Sequence, residues 1–85
     1  MITAAQLRAA RALLGMDQRE LAAKAELSLP TIQRMEASKG GVVRGNVDSL
    51  MKLVSALDSA GIELISDNAT STAGGRGVRL KKAPS

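Results

Sequence analysis

Residues 16–36 read MDQRELAAKAELSLPTIQRME and carry the start signals of two short helices. Asp17 can cap the first helix, and Glu20 stands three residues later, which is the spacing of a capping box. Both acids also suit the positive end of a helix dipole. The pattern therefore predicts a helix at about 17–25. Its narrow inner face consists of Leu21, Ala22 and Ala25.

A second helix is predicted at about 28–37. Ser28 can cap it, and Pro30 lies in its first turn, where a missing N–H breaks no helical hydrogen bond. Ile32 and Met35 stand three residues apart and are expected to face inward. The other faces are left to Leu29, Pro30, Gln33 and Arg34.

The two segments stand in tandem, because only Glu26 and Leu27 separate them. This is the geometry of a helix-turn-helix. In such a unit the second helix can lie in the major groove of DNA, with its N-terminal residues at the base edges. A plainer interpretation stays open, in which the outward polar residues form only a solvated helix face.

A further helix is predicted before this unit, at about 3–14. Thr3 and Gln6 have the spacing of a capping box, and Gly15 supplies a stop. The apolar residues that share one face of this helix are Leu7, Ala10 and Leu14.

A fourth helix is predicted at about 46–60, after a Gly-rich loop at 38–45. Asn46 is its expected cap, and Gly61 ends it. The clearest helical spacing in the chain belongs to Leu50, Leu53, Val54 and Leu57. The residues expected to fill gaps in the core are Met16, Met35 and Met51.

Beyond Gly61 the apolar period changes from about 3.6 to about 2, which predicts two short strands joined by a polar loop. A lone hairpin is marginal, so it needs a helix face or a second copy of itself. Pairing within the chain and pairing between chains both remain open. The candidates for a dimer interface are Ile62, Leu64, Val78 and Leu80. We therefore divide the chain into a helical domain at 1–60 and a strand pair with a tail at 61–85.

The composition argues against several classes of protein. The 85 residues fit one small domain, and the absence of Cys and His excludes disulfides and the common zinc sites. Because aromatic residues are absent, modules that stack single-stranded bases on aromatic rings are disfavoured. No apolar run reaches the roughly 18 residues of a membrane span. We expect a cytoplasmic protein without a cofactor and without a membrane partner.

The net charge of +4 is distributed unevenly. Seven basic and four acidic residues lie in 1–45, one basic and four acidic residues in 46–67, and four basic residues in 68–85. Both ends are therefore positive and the middle is negative. A basic balance favours a polyanionic partner, although alone it is weak evidence.

Catalysis finds little support in the sequence. Without His, Cys or Tyr, only carboxylates, lysines and hydroxyls could transfer protons or act as nucleophiles. Asp48 and Asp58 do not have the spacing of metal ligands. We therefore expect that the protein is not an enzyme.

The stretch at 16–36 resembles the helix-turn-helix core of the lambdoid repressor and Cro family, also called the XRE family of bacterial regulators. The matching residues are Gln18, Leu21, Ala22, Ser28, Ile32 and Glu36. The resemblance covers about 3–60 and implies a mainly α, four-helix lambda-repressor-like DNA-binding domain. A short C-terminal β-hairpin or a pair of dimerising strands completes it. The tail, GIELI followed by GVRLKK, is similar to that of some short XRE-type proteins.

The resemblance also implies roles for single residues. Gln18 matches the family glutamine that contacts phosphate and steadies the recognition helix, and Arg11 and Glu36 match a salt bridge between the first and third helices. The positions of base and backbone contacts are occupied by Leu29, Pro30, Thr31, Gln33 and Arg34, beside the cap Ser28. Two departures are Ser38, where the family often has Gly, and the apolar Leu29, where phage repressors place a polar base reader.

The chemistry of the outward side chains suits duplex DNA. Arg34 can bond guanine O6 and N7 together, and Gln33 can bond adenine N6 and N7. Leu29 and the Thr31 methyl group can meet the methyl group of thymine. These residue types therefore allow direct readout of bases.

The loop at 38–45 can contribute phosphate contacts through Lys39, Arg44 and its backbone N–H groups. It is not a P-loop, because no Gly-Lys-Ser/Thr follows. A plain flexible connector is an equally open interpretation.

Two functions of different classes follow from these observations. The first is a sequence-specific regulator, most simply a repressor, that binds an inverted repeat as a homodimer with half-sites roughly 34 Å apart. Its dimer surface would be the C-terminal strands or the fourth helix. The second is an antitoxin or other protein-binding module that uses the same domain to engage a partner protein. A dimeric structural protein without a nucleic-acid role is the residual alternative.

Overall fold

Four helices and a two-stranded antiparallel hairpin are found in the computed structural model, which describes residues 2–39, 42–66 and 74–81. The elements are α1 (Ala4–Leu14), α2 (Gln18–Ala25), α3 (Leu29–Glu36), α4 (Val47–Ser59), β1 (Ile62–Ile65) and β2 (Gly77–Leu80). The predicted mainly α, four-helix fold with a C-terminal hairpin is confirmed.

The helices begin at the caps that the sequence indicates. Thr3 Oγ1 accepts a hydrogen bond from the Gln6 backbone N–H at 3.1 Å, and Gln6 Oε1 accepts from the Thr3 N–H at 2.9 Å. Asp17 and Glu20 make the same reciprocal pair at the start of α2, at 2.7 and 3.3 Å. Asn46 accepts from the Ser49 N–H at the start of α4. The start of each of these helices is thus determined locally.

The turns after α1 and α2 both use a left-handed backbone. Gly15 ends α1 at φ 67°, where glycine has no steric cost. Glu26 ends α2 at φ 56°, although it carries a Cβ, and this costs roughly 1 kcal/mol. The turn between α2 and α3 is therefore sharp and is maintained by the packing of the two helices.

The core is aliphatic and lies among all four helices and β1. The largest fully buried side chains are Ile2, Leu7, Leu21, Ile32, Met35, Val43, Leu53, Leu57 and Ile62. Met16, Leu50 and Val54 pack against this cluster while partly exposed. Met51 is 60% exposed, so the expectation that it fills a core gap is wrong. It lies on the outer side of α4, one turn from the exposed Val47.

The segment before α1 pairs with the loop that follows α3. Thr3 and Val42 form an isolated antiparallel bridge, and the Val43 N–H donates to the Ile2 carbonyl at 2.8 Å. Ile2 and Val43 both enter the core. The described part of the loop is therefore anchored at this point, which corrects its interpretation as a plain connector. Residues 40–41 lie outside the described residues.

The hairpin forms within one chain. Ile62 stands opposite Leu80, and Leu64 stands opposite Val78. Ile62 is 2% exposed and belongs to the core of its own chain, so it is not available to a dimer interface and this expectation is corrected. Leu64 and Val78 are half-buried against the same core, whereas Leu80 is 47% exposed.

Gln6 connects α1 to the hairpin. Its side chain is buried, and Nε2 donates to the carbonyls of Ile65 and Gly77 at 3.1 and 2.9 Å. Those two residues are the last pair of the ladder between β1 and β2. Because Oε1 also completes the Thr3 capping box, one side chain fixes both the start of α1 and the end of the hairpin.

Within the described ranges, no helix combines the length and apolarity that crossing a bilayer requires.

We expect Gln6→Ala to lower the free energy of unfolding by about 1–3 kcal/mol, because it removes the bond that completes the Thr3 capping box and the two bonds that join α1 to the hairpin. Urea denaturation followed by circular dichroism measures the change. Gln33→Ala is the matched control: it makes the same truncation at an exposed helical position and should change stability by less than about 0.5 kcal/mol. Equal effects of the two substitutions would contradict the role assigned to Gln6.

Candidate nucleic-acid interface

The outer face of α3 presents polar side chains to solvent. Ile32, Met35 and Glu36 are buried and fix the inner side of the helix. Pro30, Gln33 and Arg34 are exposed on the opposite side, while Leu29 and Thr31 are half-buried at its margins. The structure thus brings together on one short helix the residues for which base contacts were predicted.

The first turn of α3 is organised by hydroxyl groups. Ser28 Oγ accepts from the Thr31 N–H at 3.2 Å and lies 2.8 Å from Thr31 Oγ1. Arg34 Nη2 reaches the same Thr31 hydroxyl at 3.5 Å, which is a long contact. Ser28 is therefore primarily a helix cap, and Thr31 lies between the cap and the guanidinium of Arg34.

An ion pair between α1 and the end of α3 fixes the inner side of this helix. Arg11 Nε donates to Glu36 Oε2 at 2.5 Å, and Arg11 Nη2 donates to Glu36 Oε1 at 2.8 Å. Gln18 Nε2 donates to Glu36 Oε1 at 3.2 Å, so α2 joins the network. Glu36 is 6% exposed, and every buried side-chain polar atom among the described residues has a hydrogen-bond partner. The network therefore holds α3 against both preceding helices.

The guanidinium of Arg11 is stabilised in its charged form. The hydrogen bond that Arg11 donates to Glu36 raises the pKa of Arg11 above its ordinary value, desolvation opposes the rise, and the charges of Glu36 and Asp17 add to it. Because the pKa of Arg11 is higher in the folded state than in the unfolded state, the ion pair contributes its full stability at every pH below the pKa of the unfolded state. This contribution is lost only as the pH rises through the pKa of the folded state. Because arginine titrates in strong alkali, Arg11 stays charged throughout the range in which proteins are handled.

Arg8 is a further contact that the sequence did not suggest. Its Nη1 donates to the backbone carbonyl of Glu36 at 2.7 Å, at the C-terminal end of α3. A cation is favoured there, because the last carbonyls of a helix are unpaired and carry partial negative charge. The available signal was the spacing of Arg8 and Arg11, which are three residues apart and so share one face of α1.

The predicted phosphate-binding residues of the loop lie on either side of its anchored part. Lys39 and Arg44 are both exposed, and Arg44 directly follows the buried Val43. Gly45 comes next and lies close to α3, since a Cβ there would lie 3.2 Å from Met35 Cε. The structure thus fixes where the loop passes the core, and both cations point away from it.

A family model described as helix-turn-helix (HTH_3) matches residues 7–61, which is more than half of the chain. The chain therefore belongs to the XRE-type helix-turn-helix family, a family of DNA-binding domains. Its members are DNA-binding regulators, and this is the class to which the chain is assigned. A search of curated proteins gave no match.

We expect Glu36→Gln to lower the free energy of unfolding by about 1.5–3 kcal/mol, because a buried charged hydrogen-bond network loses its acceptor charge. Chemical denaturation at neutral pH measures the loss. Glu63→Gln is the matched control, since Glu63 also pairs with an arginine but is exposed. That substitution should cost less than about 1 kcal/mol. A cost at Glu36 no larger than at Glu63 would show that the buried ion pair does not stabilise the fold.

Proposed function

We propose that the protein is a transcription regulator that recognises a specific duplex DNA sequence and represses transcription by occupying it. In this proposal α3 lies in the major groove and α2 crosses the phosphate backbone. The observation that carries the proposal is the division of α3 into two sides. On one side, Glu36 accepts hydrogen bonds from α1 and α2, and the other side presents Gln33 and Arg34 to solvent.

Arg34 and Gln33 are the proposed base readers. Arg34 offers the paired donors that match guanine O6 and N7, and Gln33 offers the donor and acceptor that match adenine N7 and N6. Both side chains are exposed and start from a helix whose orientation is fixed by buried contacts. Leu29 and Pro30, at the N-terminal end of the same helix, supply apolar contacts to thymine methyl groups or sugars.

Phosphate contacts are proposed on both sides of α3. Gln18 stands at the first position of α2, directly after the cap Asp17, where the first backbone N–H groups of the helix can donate to a phosphate. One hydrogen of its side-chain amide goes to Glu36, so the same side chain can link the phosphate backbone to α3. Lys39 and Arg44, exposed on the loop after α3, would hold phosphates beyond the other end of this helix.

We propose a homodimer whose two copies meet through α4. Val47 and Met51 lie one turn apart on this helix and are 71% and 60% exposed. An apolar pair in such a position favours burial against an equivalent surface. Two-fold symmetry would then place the two α3 helices on half-sites about one turn of DNA apart, roughly 34 Å.

Selection of the purified chain against a randomised DNA duplex pool at physiological salt tests the proposed function. The expected result is enrichment of an inverted repeat, which would establish sequence recognition and two-fold symmetry together. Enrichment of a single half-site would retain DNA recognition and refute the dimer. A folded protein that enriches no sequence would overturn the proposal.

We expect Arg34→Ala to weaken binding to the selected duplex by about 1–3 kcal/mol and to relax specificity at one base pair, because a bidentate contact is lost. Fluorescence anisotropy at fixed salt measures the affinity, and thermal unfolding confirms that the fold is intact. Lys24→Ala is the control, since it removes the same charge at the groove between α2 and α4. Unchanged base preference in the Arg34 variant would refute its role as a base reader.

A further inference from the structure

The outer edge of β2 offers backbone groups that β1 does not use. The Lys81 N–H donates to the Gly61 carbonyl at 2.7 Å, which makes residues 61 and 81 a hydrogen-bonded pair. Pairing alternates along an antiparallel ladder, so Val78 and Leu80 belong to non-hydrogen-bonded pairs and direct their N–H and C=O groups away from β1. Within the part of the chain that the structure describes, both backbone groups of these two residues are thus available to another strand.

A groove of about 320 Å³ lies beside this edge, between α1 and β2. On the helix side it is lined by Thr3, Ala5, Gln6 and Ala9, and on the strand side by Arg76, Gly77 and Val78. The two alanines are exposed and too small to block the approach of another chain. A strand added to β2 would therefore lie over α1 and could place the side chain opposite Val78 in this groove.

The positive charge of Arg79, on the other face of β2, favours an acidic residue in a segment that binds at this edge. Arg79 lies between Val78 and Leu80 and is largely exposed. Within the described residues it binds Glu63 through a single carboxylate oxygen, which uses only part of its five donors. A residue opposite Arg79 on an added strand would lie about 4.5 Å away between Cα atoms, where an acidic side chain is favoured.

A second copy of β2 is a poor occupant of this edge. Antiparallel pairing of two copies about Val78, Arg79 or Leu80 brings the cations of both strands onto one face, directly opposite or on a diagonal of roughly 7–8 Å. Like charges at these positions are destabilising. The edge is thus protected against self-association and open to an oppositely charged segment.

We propose that the edge of β2, together with the groove beside Ala5 and Ala9, binds an extended segment of a partner protein by strand addition. The segment has the pattern apolar–acidic–apolar. Its acidic residue faces Arg79, one apolar residue lies opposite Leu80, and the other lies opposite Val78 and enters the groove. The strand β1 of the chain itself shows the pattern that pairs with β2, since Ile62, Glu63 and Leu64 stand opposite Leu80, Arg79 and Val78. Main-chain hydrogen bonds supply affinity in this mode, and the alternate side chains supply specificity.

Titration of the ¹⁵N-labelled full chain with an acetylated, amidated peptide GIELIS, the sequence of residues 61–66, tests the proposal. The expected result is a shift of the amide signals of Val78 and Leu80 and slower hydrogen exchange at both. The amides of Glu63 and Ile65, which point into the existing ladder, should keep their protection. The peptide GIKLIS should bind roughly 3- to 10-fold more weakly, because it places like charges opposite each other.

Matched variants complete the test. Arg79→Glu should reverse the preference between the two peptides, whereas Arg34→Ala should leave it unchanged because α3 is not part of this surface. No shift with peptide at millimolar concentration would overturn the proposal, as would equal binding of the two peptides. Loss of protection at Glu63 and Ile65 would mean exchange with β1 and would also refute strand addition. Shifts of Val78 and Leu80 on concentrating the protein without peptide would assign the edge to a second copy instead.

Discussion

The carboxylate of Glu36 is the constraint on which the arrangement of the helices depends. A buried carboxylate is costly unless its lone pairs are occupied, and here Arg11 donates to both oxygens of Glu36 while Gln18 donates to one of them. Arg11 belongs to α1 and Gln18 to α2, and Arg8 adds a bond to the carbonyl of Glu36. Contacts from two directions fix the rotation of α3 about its own axis. The direction of its outer face therefore follows from contacts on its inner face.

The amide of Gln6 performs an equivalent function at the other end of α1. It satisfies the cap residue Thr3 and two carbonyls of the hairpin with one buried side chain. A two-stranded hairpin is marginal in isolation, and here it is stabilised by this bond and by the burial of Ile62. The loop after α3 is held in the same region, because Val43 bonds to the backbone of Ile2. Elements distant in sequence thus share one anchoring region at the start of α1.

Sequence patterns predicted the helices well because their signals are local. A cap such as Thr3 or Asp17 acts over three residues, and Gly15 and the alternating apolar residues of the strands act over similarly short spans. Other contacts join residues that are far apart in sequence. The bond from Arg8 to Glu36 spans 28 positions, and the bond from Gln6 to Gly77 spans 71. Val43 bonds to Ile2 over a similarly long separation, and no local period encodes any of these contacts. The same reason explains the error at Ile62: alternation defines a face but does not reveal whether the chain's own core or a second copy covers it.

For the candidate nucleic-acid interface, residue types and spacing indicated which side of α3 faces outward. The buried network around Glu36 that orients α3 was accessible only through the family resemblance.

Helix α1 carries both sets of anchoring side chains and so connects the two surfaces. Arg8 and Arg11 extend towards the end of α3, and Gln6 extends towards the hairpin. Ala5 and Ala9, on the same helix, line the groove beside β2. A segment bound along β2 would contact α1 directly, and any shift of α1 that follows would act on Glu36 and hence on the outer face of α3. If such a segment changes the affinity of α3 for DNA, DNA must change the affinity for the segment by the same factor, since binding free energies are reciprocal. The size of that factor depends on how rigidly the bonds of Arg11 and Gln6 hold α1, because a helix that does not move cannot pass the effect of a bound segment on to α3.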